Sequence, residues 1–331
     1  MHMADVWGLP ASAIPGVGKS AFELLNSIGK ARGLRGLLVM GSNLAVSAPN
    51  VQLVRERMQS LECLVVADFF LSETAQMAHV VLPAAQWAEE DGTMTNLEGR
   101  VLMRRRVAAP PEGVQTDVDI LCELGRRFGH RRQFTYADTE AVFDELRRAT
   151  RGGPADYSGI SYARITASDG IFWPCPTVDH PGTPRLFTDA FPTENGRARF
   201  HAVSHRSIAE APTDAYPLHL TTGRLLAQYQ SGTQTRRTRA LQDLADEPLV
   251  EIHPATAQSF GLRDGDRAMV LTRRGHAAFR IRITASIRED TIFVPFHWGG
   301  EQSANLLTNA ALDPTSKMPE FKVCAARIER I

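Results

Sequence analysis

PLHLTTGRLLAQYQSGTQTRR, residues 217–237, opens the stretch that decides the fold of this chain. VEIHPATAQSFGLRDGDRAMVLTRRG follows at 250–275, and PFHWGGEQSANLLTNAALDPTSKMPEFKVC at 295–324. Strand character recurs at Leu218–Leu220, Leu249–Ile252, Arg267–Thr272, Ala277–Thr284 and Thr291–Phe296. Arg274-Gly275 supplies a hairpin turn, and DGD at Asp264–Asp266 turns the chain back into a strand. One short helix is expected at Pro254–Phe260, ended by Gly261-Leu262. Short strands with few helices predict a closed barrel.

The first 150 residues have a different rhythm. Ser20 with Glu23 three positions on is a capping-box pattern, followed by Phe22, Leu25 and Ile28 at near-helical spacing. Three apolar runs then read as strands: GLLVMGSN (36–43), CLVVADFF (63–70) and VVLPAA (80–85). Asn50 is placed to cap the helix VQLVRERMQS, and Ser72 to Met77 reads as a short helix. Two more helices are expected at Asp117–Phe128 and Thr139–Ala149. Apolar strands separated by helices argue for a parallel sheet covered on both faces. Between the halves, RGGPADYSG and WPCPTVDHPGTPR are dense in Gly and Pro, so 151–216 reads as connecting chain.

Composition bounds the function. With 331 residues the chain can build two cores. Its 37 basic residues balance its 37 acidic ones, which gives no hint of a nucleic-acid partner. The basic runs Arg104–Arg106 and Arg236–Arg237 read as solvated faces. No apolar run reaches the ~20 residues of a membrane helix, and no signal peptide is visible at MHMADVWGLP. Cys63, Cys122, Cys175 and Cys324 are widely spaced without C-x-x-C, which argues against a zinc or iron–sulfur site built by this chain. These features predict a reduced, cytoplasmic protein.

Two sets of residues could carry chemistry. In an open parallel sheet, ligands collect at the carboxyl ends of strands. Gly41, Ser42 and Asn43 stand at one such end and Asp68 at the next. Asn43 offers donors and an acceptor, and Asp68 could accept two hydrogen bonds from a guanine edge. Asn and Asp are also common turn formers, which is the competing reading. In the second set, Thr221-Thr222-Gly223-Arg224 offers hydroxyls, a free amide and a donor fork suited to phosphate. Gln228, Ser231, Thr233 and Thr235 add polar groups downstream. Alone, TTGR is a plain turn; followed by LAQYQSGTQTRR it is a distinctive signature. A lone histidine such as His297 is more often a hydrogen-bonded packing residue than a ligand or base.

Residues 217–331, together with VVADFFLSETAQMAHVVLPAAQWAEEDGTMTNLEGRV at 65–101, resemble the C-terminal portion of molybdopterin oxidoreductase large subunits, the dimethyl sulfoxide reductase family. The resemblance runs over nearly the whole chain and is weakest at 129–190. It implies a parallel-sheet, Rossmann-like α/β domain at 1–150, a linker at 151–210 and a six-stranded double-psi-type β-barrel at 211–331. It implies a bis(molybdopterin guanine dinucleotide) molybdenum cofactor, with Asn43 and Asp68 at its guanine end and Asp117 at a further contact. Thr222, Gly223, Arg224, Gln228, Tyr229, Gln230 and Ser231 would wrap the pyrophosphate and pterin. Many family members carry His where Gln230 stands. Asn305 and Lys322 match further cofactor positions, and Phe296 and His297 match the substrate funnel.

The family's molybdenum ligand and four-cysteine 4Fe–4S motif lie in a front half that is not recognisable here. The chain is therefore expected to be part of a larger enzyme, inactive alone, with that half and an electron donor as partners. The PFHW and AQYQSGTQTRR stretches lean towards the nitrate reductase branch. LDPTSKMPEFKVCAARIE is shared with formate dehydrogenases, which keeps that branch open, as does a non-catalytic cofactor-binding module.

Overall fold

The computed structural model describes residues 2–331. Strands β1 (Gly36–Met40), β2 (Cys63–Asp68) and β3 (Val80–Pro83) form a sheet in the order β1-β2-β3. β1 and β2 are parallel, with Gly36 opposite Cys63 and Met40 opposite Ala67. The helix Ala21–Ser27 starts at Ser20, where both bonds of the capping box are made. It buries Phe22 and Leu25 with Ile28, Val54, Met58, Leu64 and Val66 in one core. The helix Val51–Gln59 does begin after Asn50, but Asn50 makes no side-chain cap. It is left-handed instead (φ 47), and its N–H donates to the Thr308 carbonyl. Of the expected Ser72–Met77 helix only a 3-10 turn at Ala75–Met77 forms, and Ser72 Oγ donates to Asp68 Oδ2 at 2.7 Å.

A second, antiparallel sheet consists of β4 (Gly92–Thr95), β5 (Arg100–Arg104) and β6 (Ile171–Phe172). The expected helices form as Asp117–Arg127 and Thr139–Thr150, each with a side-chain cap, from Thr116 and Asp138. Phe143 and Val101 pack with Ile160, Ile165, Ile171 and Cys175. Part of the presumed connecting chain is thus core. Its glycines and prolines mark turns between single isoleucines, which leave no periodic signal of their own.

The remaining strands are β7 (Leu218–Gly223), β8 (Leu249–Ile252), β9 (Arg267–Leu271), β10 (His276–Ile283), β11 (Thr291–Pro295) and β12 (Cys324–Arg330). They close in the order β10-β8-β11-β7-β12-β9, the six-stranded barrel expected. β7 and β11 are parallel, as are β8 and β10; the other neighbours are antiparallel. Alternate residues point inward, so Leu218, Leu220, Val250, Ile252, Phe279, Ile281 and Ile292 fill the interior. Each such side chain, fully buried, contributes about 1.5–3 kcal/mol.

By contacts the chain divides into two compact units. Lys19–Leu82 and His205–Ile331 make one; the residues up to Gly18 and Pro83–Ser204 make the other. The β1–β3 sheet and the barrel therefore belong largely to the same unit.

Candidate functional site

The barrel's pairing brings three segments to one place. β7 and β11 run parallel, with Thr222 opposite Val294 and Gly223 opposite Pro295, so Arg224 and Phe296 leave neighbouring strand ends. β12 pairs antiparallel to β7, with Cys324 opposite Leu220, which returns Lys322 alongside Thr222. The Arg224 guanidinium lies 6.0 Å from the centre of the Phe296 ring and Lys322 Nζ 5.7 Å from it. Lys322 Nζ donates to the Thr222 carbonyl at 2.8 Å, and Thr222 Oγ1 donates to the Phe321 carbonyl at 2.8 Å.

A cavity of about 500 Å³ opens here. Thr222, Arg224, Gln230, Ser231 and Lys322 form its polar lining, with Asn305 and Ser47. Phe296 and Phe321 supply its apolar faces. Arg224 and Lys322 are exposed and, among the described residues, pair with no carboxylate. The Gln230 and Ser231 amides likewise meet no acceptor among the described residues. Arg224 therefore keeps its whole donor fork, Lys322 keeps two N–H bonds, and no acidic side chain lines the cavity. Such a donor set takes an anion.

The loop from Arg224 to Arg236 is held from three sides. His297 is 0% exposed; its Nδ1 donates to the Gln230 carbonyl at 2.6 Å and its Nε2 accepts from the Leu225 amide at 2.9 Å. Burial, with the positive charges of Arg224 and Arg236, holds its imidazole below the ordinary pKa, so it is neutral with the proton on Nδ1. Both of its ring nitrogens are used in fixing the loop. Gln228, expected at the cofactor, is also buried, with Nε2 donating to the Ala245 carbonyl and Oε1 accepting from Thr235 Oγ1. Tyr229 is exposed and does not line the cavity. Gly223 is required by packing, because a Cβ there would lie 2.4 Å from the Phe293 ring.

Asp68 ends β2 and Asn43 follows the end of β1 by three residues, but neither lines the cavity. Asn43 Nδ2 donates to Glu73 Oε2 (2.7 Å) and Thr233 Oγ1 (3.1 Å), and its Oδ1 accepts from the Thr74 amide and hydroxyl. Its hydrogen-bonding capacity is used within the protein, where it bridges Glu73, Thr74 and Thr233. Asp68 accepts from the Phe69 amide and the Ser72 hydroxyl, one bond per oxygen, so each oxygen retains a lone pair. Asn305 donates to the Val46 carbonyl and accepts from Thr308 Oγ1, tying the barrel loop to the short helix Leu44–Ser47 that follows β1. Asp117 lies in the other compact unit, in the first turn of its helix. Burial and the nearby Glu90 charge push its carboxyl up, against the pull of Arg104.

Sequence reasoning missed Glu73, Ser47 and Phe321. Glu73 takes Arg236 Nη2 at 2.8 Å and Asn43 Nδ2 at 2.7 Å. Burial pushes its carboxyl up, but these bonds outweigh it and hold the pKa below the ordinary range. Arg236, read as part of a solvated run, is one half of this partly buried pair. Among the described residues no group of three His, Cys, Asp or Glu could hold a metal, and no helix is long and apolar enough to cross a membrane.

Residues 16–127 match the family model for molybdopterin oxidoreductases, and 218–325 match that of the molydopterin dinucleotide binding domain. The chain is 44% identical over 329 residues to the assimilatory nitrate reductase catalytic subunit of Bacillus subtilis, covering 99% of this chain and 46% of that protein. It is 43% identical over 317 residues to the F420-dependent formate dehydrogenase subunit alpha of Methanocaldococcus jannaschii, covering 96% and 46%. The chain thus spans about half the length of these relatives. The acetylene hydratase of Pelobacter acetylenicus shares the fold, with a TM-score of 0.71 and 19% identity over 93% of this chain and 46% of that one.

Proposed function

The chain belongs to the molybdopterin oxidoreductases, and on that premise we propose that it holds molybdopterin guanine dinucleotide for an enzyme that reduces nitrate to nitrite. The observation that carries the cofactor reading is the pair of cations, Arg224 and Lys322, without a carboxylate partner among the described residues, on a cavity without acidic side chains. Its volume lies within the range of small-molecule sites. Arg224 would clamp the diphosphate bidentately, and Lys322, directed by the Thr222 carbonyl, would add a point charge. The Gln230 and Ser231 amides would donate to the same oxygens. Phe296 and Phe321 offer flat apolar faces to a ring system. Asp68, with a lone pair left on each oxygen, would accept from the guanine edge.

When bound, the cofactor supplies the two-electron chemistry. The residues named here bind it, orient it and keep its charge compensated. Nitrate is favoured as substrate by the likeness to nitrate reductases from several organisms. The formate dehydrogenase reading stands on the nearly equal likeness to the archaeal subunit.

The experiment has two arms. The protein, isolated from a host that makes the molybdenum cofactor, should release GMP on acid hydrolysis, and Arg224→Ala/Lys322→Ala should release much less. Release of another nucleotide, or of none, would sink the guanine dinucleotide reading. In the native host, disruption of the gene should abolish growth on nitrate as sole nitrogen source and spare growth on ammonium. Loss of formate oxidation, with nitrate growth intact, would move the reading to formate.

A further inference from the structure

The cavity loop is gripped from the sheet side by a carboxylate that touches no part of the cavity. We propose that Glu73 is a positioning residue, which sets Gln230 and Ser231 in their ligand-facing arrangement; this rests on reading the cavity as the cofactor site. Two routes connect Glu73 to Ser231. In the first, Glu73 Oε1 accepts from Arg236 Nη2 at 2.8 Å, and the same Nη2 donates to the Ser231 carbonyl at 3.2 Å. In the second, Glu73 Oε2 accepts from Asn43 Nδ2, which also reaches Thr233 Oγ1, itself 3.0 Å from Ser231 Oγ. The carbonyl and the hydroxyl of one cavity residue are thus both referred to one carboxylate.

The backbone at this point needs such a hold. Gln230 is left-handed at φ 48, a conformation that costs energy for a residue with a Cβ. Gly232 follows at φ 70, where a Cβ would lie 2.6 Å from the His297 carbonyl and 2.7 Å from Arg236 Nε. Glu73 is itself wedged: a Cβ on Gly299 would fall 2.8 Å from its Oε1. His297 fixes the Gln230 carbonyl from one side and Glu73, through Arg236, the Ser231 carbonyl from the other. With these two carbonyls pinned, the Gln230 and Ser231 amides meet no acceptor among the described residues, the arrangement from which backbone nests bind anions.

Glu73→Ala removes both routes. Glu73→Gln keeps an oxygen for Asn43 and loses the charge that holds Arg236. Amide hydrogen exchange reads the clamp without any ligand. In Glu73→Ala the Gly232 and Arg236 amides, now bonded to Tyr229 and Gly232 carbonyls, should exchange roughly tenfold faster. Glu73→Gln should lie between, and the β1, β2 and barrel amides should keep their rates. Unchanged exchange at Gly232 and Arg236 in Glu73→Ala overturns the proposal, and an increase spread evenly over the whole unit does so too.

The second readout is the dissociation constant for GDP, used as a diphosphate nucleotide probe. Glu73→Ala and Arg236→Ala should each weaken it about tenfold, and the double variant no more than either single one, as expected of residues acting through one contact. If Arg224→Ala/Lys322→Ala weakens GDP binding and Glu73→Ala does not, the clamp is wrong and the cofactor site stands. If the loop loosens in Glu73→Ala but GDP binding is indifferent to Arg224 and Lys322, the clamp stands and the cofactor site is wrong.

Discussion

Arg224 and Lys322 sit over the same ring but differ in what they have left to give. Arg224 donates to nothing among the described residues, whereas one Lys322 N–H is spent on the Thr222 carbonyl. Removing a charge-assisted bond costs about 1.5–3 kcal/mol. Arg224→Ala should therefore weaken pyrophosphate binding by roughly 10–150-fold and Lys322→Ala by less, measured calorimetrically at fixed salt. A larger effect from Lys322 would show that the donor fork is not the main clamp. His297 gives a residue-level pH prediction. Its folded pKa is depressed by burial, so the unfolded chain binds the proton more readily. The stability it lends is complete above the ordinary value of 6.5 and is lost as pH falls below that towards the folded pKa. Thermal melts from about pH 7.5 to about 5 should fall in wild type, and that leg should flatten in His297→Gln. An identical slope in both would place the acid sensitivity elsewhere. Glu73 acts in a lower window: its depressed carboxyl lends stability above 4.5 that is lost on further acidification.

At the scale of elements, the loop between β7 and β8 owes its shape to crowding as much as to bonding. Gly232 and Gly265 both have positive φ, but only Gly232 has neighbours within 4 Å of a would-be Cβ. Gly265→Ala should cost only the left-handed penalty, about 1 kcal/mol. Gly232→Ala should cost about 1–3 kcal/mol more, read from urea unfolding. Equal losses would mean that the loop yields. Sequence legibility followed the same physics. β1 and β2 were legible because parallel strands tend to be continuous apolar runs, although only β2 is largely buried and Leu38 of β1 is exposed. β12 was missed because CAARIER buries only a cysteine, two small alanines and one isoleucine, with Arg327 and Glu329 between and after them. The Thr222–Ser231 signature was legible as polar groups after a strand. Its division into cavity residues and props was not, since Gln228 and His297 look as available on paper as Gln230. Glu73 was invisible for a further reason: its partner Arg236 lies 163 residues away, and charge pairs at that range leave no local pattern.

On the scale of the whole molecule, three cores divide the chain, one around Phe143 and Ile160, one around Leu64 and Val66, and one filling the barrel. Phe143→Ala should destabilise its own core by about 3–5 kcal/mol. Pulse proteolysis with mapping of the cuts should then find new cleavage confined to Pro83–Ser204. Cuts spread equally into the barrel would show one cooperative block. The barrel itself is closed by β12, which pairs with β7 on one side and β9 on the other. During synthesis, β7 to β11 must wait on the ribosome with an open seam until Cys324–Arg330 has been made. The β1–β3 segment waits longer, because Pro83–Ser204 is translated before the rest of its unit. Such a chain carries unpaired strand edges for much of its translation. Its yield in a cell should depend on chaperone capacity more steeply than its equilibrium stability would suggest.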